Sequence, residues 1–145
     1  MAFELALTKD RAYELLELTV TNGARPVIVI EDPDGTADEM IIDLIFSGRK
    51  DSAIFEYNDF VMNQAFDISK INRLGDYCFV IIKGVKSLYG KSATAKILAD
   101  FVKQMAKEST SVIFTGQRAA YDMSEFIELA SDCIHYIITI DSEKE

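Results

Sequence analysis

The chain has 145 residues, of which 49% are hydrophobic, 10% aromatic and 27% charged. That is the length of one ordinary domain with enough apolar material for a core, which excludes a disordered or fibrous polypeptide and argues against two domains. A formal net charge of −9 argues against nucleic acid as a primary partner, because phosphates must be met by clustered Lys and Arg. The near-apolar runs at 78–82 and 134–140 are too short to span a bilayer, and the opening MAFELALTKDR lacks a signal-peptide pattern, so the expectation is a cytoplasmic chain with no membrane insertion.

In chain order, residues 3–7 read as an edge strand, and Thr8 as the N-cap of a helix that carries Asp10 in its first turn and ends at Asn22-Gly23. Residues 26–30 (PVIVI) form a continuous β-branched run, the mark of a strand covered on both faces; EDPDG then leads into a helix over 37–46. Residues 52–57 are a third strand, 58–74 a helical segment, and 77–82 a second strongly buried strand. After a loop at 83–90 comes the clearest helix, with Ile97, Leu98, Phe101, Val102 and Met105 on one face that must be core. Residues 111–114 are a strand, Asp122 and Glu125 bracket a capping box opening a helix to about Ser131, and 133–140 is the last strand, with 141–145 a frayed tail.

Strands alternating with helices imply a single α/β domain over 1–145, with three layers and a doubly wound, mostly parallel five-stranded sheet. Ligands of such sheets sit at the carboxyl ends of the strands, so the informative residues are 31–39, 83–92 and 115–118. Cys78 and Cys133 each fall within an apolar strand-like run, without the paired spacing of a zinc site, and read as buried free thiols. His135, in the last strand, reads as a packed or edge imidazole; no nucleophile elbow or Cys/His arrangement accompanies it.

The loop after PVIVI is Asp32-Pro33-Asp34-Gly35-Thr36-Ala37-Asp38-Glu39. Thr36 and Glu39 have capping-box spacing, which accounts for these residues as a helix start. Glu31, Asp32 and Asp34 are also weak candidates for a divalent-cation site, although the spacing of a calcium loop is absent.

Laid against the GPPGTGKT loop of AAA+ ATPases, Pro33, Gly35 and Thr36 coincide, while Asp38 stands at the lysine position and Glu39 at the Mg²⁺-binding hydroxyl position. CFVII runs into Lys83-Gly84 where the second buried strand of such ATPases ends in acids, and Thr115 lies where a sensor residue would. The order of parts resembles a RecA-like, AAA+ or KaiC-type core without its Walker A and B residues, and also an archaeal family of unknown function with a degenerate RecA-like domain. VIVIEDPDG further resembles the opening of a receiver domain, with Glu31 and Asp32 as its acidic pair, but Lys83 then falls where the phospho-acceptor Asp is expected.

The RecA-like resemblance is favoured because a full helix precedes PVIVI, and strand order discriminates: it puts the 77–82 strand beside the 52–57 strand, whereas the receiver order puts PVIVI between them. Either resemblance implies a chain with no catalytic residues and no cofactor. The expected function is a non-catalytic regulatory or scaffolding module that binds a protein, such as a second copy or an active ATPase relative. Pseudo-receiver signalling is the alternative, and a cation-dependent enzyme using the acidic loop ranks below both. The expected docking face gathers Asp32, Asp34, Asp38, Tyr89 and Arg118 at the strand ends.

Overall fold

A computed structural model describes residues 3–63, 67–85, 92–116 and 124–141. Six strands, β1 (Phe3–Leu7), β2 (Val27–Glu31), β3 (Ser52–Glu56), β4 (Phe79–Val85), β5 (Ser111–Gly116) and β6 (Tyr136–Ile140), form one sheet in the order β1-β6-β2-β5-β4-β3. Every pairing is parallel. The sheet therefore has one strand more than the five expected: the 3–7 run joins it as an edge beside β6. β3 lies against β4 and β2 lies between β6 and β5, so the receiver-like order is overturned and the RecA-like neighbourhood of the two strands is the one found.

Alternation along the central strands divides the core. Val27, Val29, Val80, Ile82, Val112 and Phe114 face one layer, made by α3 (Tyr57–Asn63), α4 (Ile68–Leu74), α5 (Ser92–Lys107) and α6 (Ser124–Leu129). Ile28, Ile30, Ile81 and Ile113 face the other, made by α1 (Lys9–Thr21) and α2 (Ala37–Phe46). Because period two sends successive side chains to opposite faces, a strand buried on both must be apolar throughout, as PVIVI is. On α5, Leu98, Phe101, Val102 and Met105 are buried and Ile97 packs at their margin, as the 3.6-residue spacing predicts. Thr8 caps α1 through Arg11 N–H at 3.3 Å.

Other boundaries differ from the sequence reading. The 58–74 segment contains two short helices, and Tyr57 opens the first of them instead of closing β3. Asp67 caps the second, accepting from the backbone N–H groups of Ser69 and Lys70. Cys133 precedes β6 in a turn and Cys78 precedes β4; both are half-buried and free. His135 also stands before β6, where its Nδ1 accepts the Val27 N–H at 3.0 Å while its backbone N–H donates to the Val27 carbonyl at 2.8 Å. It ties β6 to β2 at the amino ends of the strands, far from the loops where a ligand would sit. The capping box at 122–125 begins outside the described residues.

Candidate functional site

Parallel register brings Glu31, Glu56, Lys83, Gly116 and Thr139 to one end of the sheet, since Glu31 lies opposite both Gly116 and Thr139, and Glu56 opposite Lys83. α2 starts at the same end, after the loop 32–36. This is the carboxyl end of the strands, where doubly wound sheets place their ligands.

The loop is organised by Asp32. Its Oδ1 accepts the Asp34 N–H at 3.1 Å and its Oδ2 accepts the Ala37 N–H at 2.9 Å, so the buried carboxylate lies within the loop against the first turn of α2. Thr36, the residue at the N-cap position, makes no side-chain cap bond. The capping box expected from Thr36 and Glu39 is therefore replaced by a carboxylate from the far side of the loop. A side chain at position 35 would bring its Cβ to 3.2 Å from Asp32 Oδ2, so glycine lets the chain close over that oxygen.

Asp38 turns inward. It is 3% exposed, and its Oδ2 accepts the N–H of Gly116 at 3.1 Å. Burial pushes its pKa up to about 6, aided by the charges of Glu39 and Asp32 and opposed by the N–H groups of Glu39 and Gly116 that stabilise the anion. Glu31 is also buried and accepts the Thr139 hydroxyl at 3.0 Å. Of the weak cation candidates, then, Glu31 is directed to β6 and Asp32 to the loop amides, while Asp34 is exposed; among the described residues no group of three His, Cys, Asp or Glu side chains converges on a common point.

Lys83 belongs to β4 and not to the loop after it. The β4–β5 register slips between Ile82 and Val85, leaving Lys83 and Gly84 in a bulge where Gly84 takes φ +67° and donates its N–H to the buried Thr115 Oγ1 at 3.0 Å. Lys83 Nζ then meets Asp43 Oδ1 of α2 at 3.1 Å. Burial pulls the ammonium pKa down, but the Asp43 hydrogen bond and the charges of Asp43, Glu56 and Glu39 outweigh it, and the net direction is upward. Thr115, placed by sequence at a sensor position, is spent on the bulge.

Of the expected docking residues, Asp32 and Asp38 are buried and only Asp34 presents itself at the surface; Tyr89 and Arg118 lie outside the described residues. Sequence reasoning missed the Lys83–Asp43 pair and the Asp38–Gly116 bond. Among the described residues no helix is long and apolar enough to cross a membrane.

No family model matches the sequence, and no curated protein matches it. Solved structures do. The AMPPCP-bound DnaA of Aquifex aeolicus is similar at a TM-score of 0.72 and 16% identity, over 96% of this chain and 48% of that one. Domain III of the Thermotoga maritima replication initiation protein DnaA gives 0.63 and 11%, over 96% and 65%. A DNA replication initiation factor gives 0.66 and 16%, over 92% and 46%. The chain thus spans about half to two thirds of the length of these proteins. At such identities the likeness is one of fold: the chain has the three-layer α/β architecture, with its mostly parallel sheet, of the DnaA structures.

Proposed function

We propose that this AAA+-like domain is a non-catalytic, cytoplasmic module whose role is to bind another protein. The observation that carries the reading is Asp38: where the P-loop resemblance expects the phosphate-binding lysine, a buried carboxylate is turned away and bonded to Gly116. A nucleoside triphosphate does not fit this end of the sheet. The loop amides of Asp34 and Ala37 are engaged by Asp32, Glu39 stands where a metal-binding hydroxyl is expected, and Lys83 stands where the strand-end acid is expected and pairs with Asp43. The phosphates would meet carboxylates in place of an ammonium and bare N–H groups. AMPPCP is a property of the Aquifex structure; these residues supply no comparable grip.

The net charge of −9 supports a protein partner over a nucleic acid. Met62 and Ile68, on the two short helices between β3 and β4, are 81% and 76% exposed and offer apolar area of the kind protein interfaces bury. The test is a set of thermal melts with millimolar ATP, GTP or acetyl phosphate and Mg²⁺, alongside a phosphate-release assay. A Kd near 10 μM would add about 2.7 kcal/mol at hundredfold excess. Unchanged melting and no release are expected; a raised Tm or turnover would overturn the non-catalytic reading.

A further inference from the structure

We infer that the Asp32 carboxylate is a tethered counter-ion that fills the amide cradle of its own loop, so that the loop between β2 and α2 is held in one conformation by an internal charge. The inference rests on the non-catalytic reading above and extends it from what the loop lacks to what occupies it.

Three observations carry it. Both carboxylate oxygens are engaged with loop N–H groups, Oδ1 with Asp34 and Oδ2 with Ala37. These donors lie two and five residues along the chain, so the loop wraps around the carboxylate in place of the one-sided contact of an ordinary N-cap, and the side chain at the N-cap position, Thr36, makes no cap bond. Gly35 permits the close approach, with room for no Cβ except at 3.2 Å from Oδ2. The neighbouring charges are settled internally as well: Asp38 on Gly116 N–H, Glu31 on the Thr139 hydroxyl and Lys83 on Asp43. An incoming phosphate would have to displace a carboxylate that is already bonded and tethered to the same loop, with Glu31, Asp34 and Asp38 as further repulsion.

Removing the tethered anion should therefore create a vacancy that a free carboxylate can refill. Asp32→Ala is expected to lower Tm by about 4 °C, and sodium formate is expected to recover part of that loss beyond what sodium chloride does at equal ionic strength, while the wild type responds to neither salt specifically. Asp32→Asn, which keeps one acceptor oxygen without the charge, should fall between the two. In the wild type, amide hydrogen exchange at Asp34 and Ala37 should be slow and unchanged by added formate or inorganic phosphate. The inference is overturned if Asp32→Ala melts with the wild type, if formate does no better than chloride, or if those two amides exchange freely in the wild type. A wild-type Tm that rises with ATP and Mg²⁺ would instead strike the non-catalytic reading, so the two failures are told apart.

Discussion

Asp38 on α2 and Gly116 at the end of β5, 78 residues apart in sequence, are joined by a hydrogen bond of 3.1 Å from the Gly116 N–H to a buried carboxylate. This bond ties the helix after the first loop to the strand behind it. It also gives folding a pH dependence whose sign follows from the shift. The folded-state pKa is about 6 against an ordinary value of 3.8, so the native chain holds this proton more tightly than the unfolded one. The contribution is fully present below about pH 4 and is lost as pH rises through 6, a change of about 3 kcal/mol for two units. Asp38→Asn keeps an acceptor for Gly116 and removes the ionisation. Denaturant unfolding from pH 4 to 8 should show the wild type losing stability relative to Asp38→Asn across that window, with the variant the more stable at pH 7. A variant less stable at pH 7 would mean that the ionised form is favoured by its N–H partners.

Phe101 tests the core. Its ring meets Phe60 edge-on at 4.9 Å between centroids, joining α5 to α3 across the layer over β4 and β5. Phe101→Ala should cost about 3–5 kcal/mol in urea unfolding. A variant that keeps its midpoint would show that α5 packs less tightly than this contact implies.

What could be read from the sequence follows the range of the forces involved. PVIVI and the α5 stripe were legible because strand and helix periodicities are local, and both found their places in the core. The bulge at Lys83-Gly84 was not, since a bulge exists only relative to a partner strand, and β5 begins 26 residues after β4 ends. The capping-box reading of Thr36 and Glu39 failed to another acceptor, Asp32, which reaches the same helix end through a fold of the loop. For Asp38 a signal was present: it stands three and four residues before Ile41 and Ile42, on the buried stripe of α2, which places it away from an exposed docking face. Nothing in the sequence indicated that its partner would be the N–H of Gly116.

The Lys83–Asp43 pair is a smaller contribution, because Asp43 is 59% exposed. Lys83→Met should cost about 0.5–1 kcal/mol. The loss should shrink as NaCl is raised, since salt screens the repulsion left among Glu39, Asp43 and Glu56. A loss that is independent of salt would assign Lys83 a packing role through its methylenes instead.

Thr115 supports the bulge, and its value can be separated from its shape. Thr115→Val keeps the volume but removes the acceptor of the Gly84 N–H, which should cost about 1–3 kcal/mol. Thr115→Ser keeps the oxygen, so its loss should be confined to the missing methyl group. A Thr115→Val variant as stable as the wild type, with the loss confined to Thr115→Ser, would place the cost in the methyl and not in the hydrogen bond.

The partner surface remains to be separated from the acidic end. With Asp32 and Asp38 buried, the described part of the expected docking face is reduced to Asp34, whereas Met62 and Ile68 stand exposed on α3 and α4 without serving the core. Changing Met62 and Ile68 together to Glu should leave stability within about 0.5 kcal/mol at each site, because neither side chain is buried. If a partner docks there, the charges would have to be buried with it, and binding should fall by more than the simple loss of apolar area. Sedimentation velocity over a range of concentrations tests a second copy as the partner: wild-type association that is abolished in the double variant and kept in Asp34→Asn assigns the surface to α3 and α4. Association kept in the double variant and lost in Asp34→Asn would return the interface to the acidic loop. Should the wild type stay monomeric, capture from host lysate with the same three proteins makes the comparison for a heterologous partner, and equal recovery by all three would show that neither surface is the docking site.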